Sequence, residues 1–148
     1  MAKNTQPRYT IQGDVTKDGT TGMAPTLTTA AADYTGVSAN NALVFTADAT
    51  NGSRLVGLHF EAIGTNTQSV ARVYVNNGST NTTAANNSLV GKTTLPNSTA
   101  SNTAPETVGN FTFPGGYIDL PPGFRVYVGL GTTVAAGWVV TPILGGDF

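Results

Sequence analysis

Cysteine is absent from all 148 residues, which excludes disulfides, thiolate metal sites and a cysteine nucleophile together. Its absence also favours assembly in a reducing cytoplasm. Charge is nearly as scarce. Charged residues make up 10% of the chain, against about 25% in ordinary soluble domains. The formal net charge is −1, and no basic stripe is present, so nucleic acid is not an expected partner. No apolar run approaches the roughly 20 residues that span a bilayer. Residues 1–8 lack the apolar centre of a secretory leader, so a soluble protein without a membrane segment is expected. Helix signals are equally thin, because no long stretch repeats apolar residues at 3.6 spacing.

What the chain does contain is Thr, Asn, Ser and Gly, threaded with short alternating apolar runs. A chain of this length hides about 70% of its unfolded surface, so a core can form without staples. Strands are expected over 9–15, 26–32, 43–47, 54–63, 70–76, 88–95, 108–113, 117–120, 124–130 and 133–143. In 54–63, Val56, Leu58, Phe60 and Ala62 share one face. In 70–76, Ala71, Val73 and Val75 point inward, and Arg72 and Tyr74 outward. In 124–130, Phe124, Val126, Val128 and Leu130 point inward. Asn51-Gly52, Asn77-Gly78, Pro114-Gly115-Gly116 and Pro121-Pro122-Gly123 supply the reversals between strands.

Many short strands with frequent turns predict an all-β fold, a two-sheet antiparallel β-sandwich of jelly-roll-like order. A single domain over 9–148 would carry an extended N-terminal arm over 1–8. The Asn- and Thr-rich stretch 76–104 reads as surface loops around one strand. Asn-x-Ser/Thr sequons such as Asn77-Gly78-Ser79 read as chance matches, since nothing routes the chain to a glycosylating compartment.

The residues assemble no catalytic constellation. His59 is the single histidine; Glu61, two positions on, faces the same way, and the two read as a surface pair. A triad needs a nucleophile and an orienting carboxylate besides, and zinc needs more nitrogen or sulfur ligands. Asp14 and Asp18 share a loop with Thr16, Gly19 and Thr20, but their spacing does not match a calcium-binding EF-hand loop. The glycine-rich pieces Gly13-Asp14 and 129–132 open no helix and so cradle no phosphate. No catalytic residue, cofactor or metal is therefore expected. Trp138, flanked by small and β-branched residues, reads as a core anchor rather than a sugar platform.

Contact residues are a different matter. The tetrapeptide Arg-Val-Tyr-Val occurs at 72–75 and again at 125–128, which shared strand preference explains. Each copy turns a Tyr beside an Arg away from the expected core: Arg72 with Tyr74, and Arg125 with Tyr127. Interface centres favour these residue types. With Lys3, Arg8 and Tyr9 of the arm, which gains order by lying on a partner, they are the expected partner-binding residues.

Leu120-Pro121-Pro122-Gly123-Phe124-Arg125-Val126-Tyr127-Val128-Gly129-Leu130-Gly131-Thr132, then Ala135-Ala136-Gly137-Trp138 and the ending Gly145-Gly146-Asp147-Phe148, resemble small proteins encoded in tailed-bacteriophage structural gene clusters. Residues 55–78, with LHFEAIGTNTQSVARVYVNNG, are similar to the same group. The resemblance implies a capsid accessory protein of the cement or decoration type. Such proteins are β-sandwiches, often trimers, seated outside the capsid lattice where several major capsid subunits meet. It thus implies a non-enzymatic virion structural protein, made in the host bacterial cytoplasm, with the major capsid protein as partner and a homo-oligomeric state. The alternatives are a phage tail or fibre component, touching host glycans through Trp138, Tyr117 and the Asn-rich loops, and a head-completion subunit.

Overall fold

Alternation and turn chemistry produce strands throughout, and no α-helix forms among the described residues. The computed structural model describes residues 9–10, 12–19, 21–31, 33–143 and 145–148. In chain order the strands are β1 (Gln12–Gly13), β2 (Thr26–Leu27), β3 (Ala42–Thr46), β4 (Ser53–Leu55), β5 (Gly57–Ala62) and β6 (Ser69–Asn76). After a 3-10 turn at Ala84–Asn86 come β7 (Asn87–Leu95), β8 (Val108–Thr112), β9 (Ile118–Leu120), β10 (Arg125–Leu130), β11 (Trp138–Ile143) and β12 (Gly146–Asp147). Among these residues no helix is long and apolar enough to cross a membrane.

The ladders between these strands are antiparallel. They form three sheets, ordered β3-β10-β6-β7, β2-β11-β5-β8 and β1-β12-β4-β9. The expected count of two sheets is thus corrected, and the cause is a shared corner. The expected strand 54–63 divides at Val56, whose N–H donates to Ile143 (3.3 Å) and whose carbonyl accepts from Phe113 (3.4 Å). On one side β4 pairs with β9 and β12; on the other β5 pairs with β8 and β11. Three chain runs therefore each give one strand to each of these two sheets. Gly57 permits the close approach at the corner, since a Cβ there would collide with the Phe111 carbonyl.

Other expected strands shorten. Among the described residues of the 9–15 run, the strand is β1 alone. The 26–32 run keeps β2 and an isolated bridge from Ala30 to Leu130. The 133–143 run begins at Trp138, because Thr133 and Val134 bond the loop after β2 instead: Ala30 N–H donates to the Thr133 hydroxyl (3.0 Å) and Val134 N–H to the Thr28 carbonyl (2.9 Å). Strand β12 is an addition, since none of the expected strands extends past residue 143.

One apolar cluster joins the sheets. Val44, Ala71, Val73, Val126, Val128 and Leu130 come from the first; Leu58, Phe60, Ala62, Phe111, Trp138 and Val140 from the second; Leu55 and Leu120 from the third. Trp138 is fully buried, as a core anchor should be. In β3 both Val44 and Phe45 are buried, which strict alternation forbids. A register shift opposite Val126 and Tyr127 explains it, since a bulge leaves one residue unpaired and turns the next back inward.

The Asn-rich stretch is held by its own amides. Asn76 Nδ2 donates to Asn87 Oδ1 (2.8 Å), Asn87 Nδ2 to the Asn81 carbonyl (2.7 Å) and Asn86 Nδ2 to the Thr80 carbonyl (2.8 Å). These side chains stand in for backbone partners that an irregular loop lacks.

Candidate partner-binding surface

Strands β6 and β10 lie side by side, so the two Arg-Val-Tyr-Val copies meet, with Tyr74 opposite Tyr127 and Arg72 opposite Gly129. Alternation turns Arg72 and Tyr74 to the outer face, where the sequence predicts exposure. Residues 33–38 lie over that face. The Asp33 carboxylate winds them, accepting from the N–H groups of Thr35 (2.8 Å), Gly36 (2.5 Å) and Ser38 (2.9 Å). Burial works to raise the Asp33 pKa, but the backbone donors of Gly36, Ser38 and Thr35 together hold it below the ordinary carboxylate value. The Asp33 carbonyl then accepts from the Tyr74 hydroxyl (2.9 Å) and Arg72 Nη1 (3.4 Å), and Ala31 accepts from Arg72 Nη1 (3.0 Å).

Tyr74 is consequently fully buried, which corrects its expected exposure: it secures the covering loop and is not presented to a partner. Burial first, and then the Asp33 charge, raises its phenol pKa. The exposed aromatic at this place is Tyr34, 63% accessible. Its ring centroid lies 4.3 Å from the Arg72 guanidinium carbon and 5.9 Å from Lys92 Nζ. A cation over an exposed ring is worth about 0.5–1 kcal/mol. Sequence reasoning missed Tyr34 because residues 26–32 read as a strand, with no sign that the chain would fold back over β6.

The other expected contact residues are dispersed. Tyr127 is half-buried beside Tyr74. Arg125 is half-buried at the end of β10, donating from Nη1 to the Ser79 carbonyl (3.3 Å). Tyr9 is 76% exposed ahead of β1. Lys3 and Arg8, and with them the arm over 1–8, lie outside the described residues.

His59 and Glu61 pair as expected. His59 Nε2 lies 3.0 Å from Glu61 Oε2, and Nδ1 lies 2.9 Å from Asn110 Oδ1 on β8. Both ring nitrogens are thereby engaged. The bond to Asn110, then that to Glu61, raises the His59 pKa above 6.5. A proton NMR titration should place the midpoint above that value, and Glu61→Gln should lower it. The sign follows from linkage. Because the folded pKa exceeds the unfolded one, stabilisation is complete below about pH 6.5 and fades as pH rises through the folded midpoint.

The structure brings Asp14 and Asp18 together with two acids that the sequence did not connect to them. Asp48 and Asp147 line the same cleft, of about 180 Å³, below the size of ordinary small-ligand sites. Asp14 Oδ1 accepts from Thr16 N–H (2.7 Å) and its hydroxyl (2.6 Å), and Asp18 Oδ1 from Gly22 N–H (2.8 Å). Asp48 closes a turn on Asn51 N–H (2.6 Å), and Asp147 accepts from the Ser53 hydroxyl (2.5 Å). Each acid thus works locally as a turn or strand clasp. Among the described residues no group of three or more His, Asp or Glu is placed to hold a metal ion.

Arg54 forms a second aromatic cluster. It lies 3.9 Å from the Tyr117 ring centroid and 5.7 Å from that of Phe148 while gripping Asp119 through two bonds (2.7 and 3.0 Å). The guanidinium thus covers one face of the Tyr117 ring. Comparison with protein-family models, with curated proteins and with solved structures finds no match to this chain.

Proposed function

We propose that the protein is a non-enzymatic virion structural protein: a cement or decoration protein that binds the outer surface of a bacteriophage capsid lattice and stabilises it. The finer architecture of the proposal is a jelly-roll-like sandwich, supported by the shared apolar core of the sheets. The observation that carries the reading is the Tyr34 spot: an aromatic 63% exposed, seated on an Arg that a rigid sheet holds in place. Such residues supply binding energy at protein interfaces. The scarcity of charge supports the same reading, because a weakly charged surface favours association. A protein that binds only the assembled shell stabilises it by mass action, and many copies on a symmetric lattice multiply modest contacts. The proposed partner is the major capsid protein, the proposed assembly a homotrimer.

The test is co-sedimentation with empty expanded shells built from the major capsid protein of the same phage genome. Saturable binding is expected, with a rise in the shell's melting temperature. Shells that melt unchanged at saturating protein would end the stabilising role, and protein left wholly in the supernatant would end the reading itself.

A further inference from the structure

Arg72 and Lys92 are cross-strand partners on β6 and β7. Two like charges therefore stand directly opposite one another, an arrangement that ordinarily destabilises a sheet. The chain has only seven Lys and Arg, so their juxtaposition calls for compensation. The fold provides it in part. The Tyr34 ring packs against Arg72 and lies within reach of Lys92, and two loop carbonyls accept from Arg72. Carboxylates are what is missing. Lys17 and Arg54 each have one within 4.0 Å, whereas no carboxylate of a described residue lies that close to Arg72 or Lys92. Asp33, the acid of the covering loop, directs its carboxylate into that loop's own N–H groups. Arg72 Nε is buried, with no hydrogen-bond partner among the described residues, so an incoming acid would meet the exposed Lys92 first.

We propose that Tyr34, Arg72 and Lys92 form a receptor for a carboxylate side chain on an acidic segment of a partner protein. The inference rests on the adhesive reading above and assigns the chemistry of one contact. Charge complementarity selects the occupant: two cations lacking an acid take one from outside, and charge-assisted hydrogen bonds make that contact strong. A nucleic acid is disfavoured by the chain's net charge of −1, since a long polyanion needs a run of cations. The aromatic wall suits a carboxylate carried on an aliphatic stem.

The deciding experiment titrates isotope-labelled full-length protein with a hexaglutamate peptide, followed by NMR at about 0.15 M salt, where diffuse attraction is screened beyond roughly 8 Å. Hexaglutamine and inorganic phosphate serve as comparison ligands. Saturable shifts at Tyr34, Arg72 and Lys92 are expected with hexaglutamate and not with hexaglutamine. Arg72→Gln would also loosen the covering loop, so the exposed Lys92→Gln is the informative variant; it should weaken binding about tenfold. Lys17→Gln removes the same net charge elsewhere and should leave binding unchanged. The proposal falls if hexaglutamate gives no saturable shift, if phosphate binds these residues as tightly, or if the two variants lose affinity equally. It falls too if raising the protein's own concentration produces the same shifts, which would make a second copy the occupant. Failure of the adhesive reading appears elsewhere, as absent shell sedimentation, in an assay containing no peptide.

Discussion

Alanine at position 138 is expected to lower the stability of the protein by about 3–5 kcal/mol, the usual cost of emptying a large aromatic site in a core. Trp138 is fully buried, and on β11 it stands between Leu27 of β2 and Ala62 of β5. Its removal would leave a cavity where two sheet neighbours meet, and strands paired on both sides collapse poorly into such a space. Total stabilities of domains are only about 5–15 kcal/mol, so the variant should sit near the edge of folding. Urea denaturation should show a much lower midpoint at unchanged slope. The indole N–H has no hydrogen-bond partner among the described residues, so Trp138→Phe gives up volume but none of the hydrogen bonds described. It should cost clearly less, about 1–2 kcal/mol. A loss below 1 kcal/mol for alanine would contradict the packing described.

The second large effect is expected at Asn66, which ties three loops together. Its Nδ2 donates to the carbonyls of Gly137 (3.0 Å) and Gly64 (3.3 Å) and to the Ser98 hydroxyl (3.2 Å). Its Oδ1 accepts from the N–H groups of Gly137 (2.8 Å) and Ala136 (2.9 Å). The side chain is 3% exposed, so water cannot readily replace it. Asn66→Ala orphans several backbone groups at once, each costing about 1–3 kcal/mol if it stays buried; partial relaxation brings the expected total to about 3 kcal/mol. Asn66→Asp should do no better, because it loses the donor and turns a negative charge toward two carbonyls. Thermal and urea denaturation of both variants check this. Retention of wild-type stability by Asn66→Asp would mean that the amide orientation is not the one described.

These two sites differ in how far they could be read in advance. Trp138 lies in a run of small and β-branched residues, and that pattern already marked it as a core anchor. Asn66 lies in a polar stretch, Gly64-Thr65-Asn66-Thr67, that looks like any loop, and its partners other than Gly64 are 32 and about 70 positions away. No local pattern records such a separation. The His59–Glu61 pair was legible because period-two geometry places residues two apart on one face. The convergence of Asp14, Asp18, Asp48 and Asp147 was not, because it depends on β12 pairing with both β1 and β4.

Tyr74 shows the boundary most clearly. Alternation along β6 correctly turns it to the face opposite Val73, and nothing in that strand says whether water or chain lies beyond. Residues 33–38 decide it, by folding over the face and accepting its hydroxyl. Strand character over much of the chain, turn positions, the low charge and the side to which most strand residues point follow from the amino-acid order, because backbone geometry acts between near neighbours. Which outward residue is buried, where one long strand divides between two sheets, and which cations are left without an acid came only from the tertiary structure. Those outcomes depend on contacts between segments far apart in the chain, whose energies exist only once the chain has closed on itself.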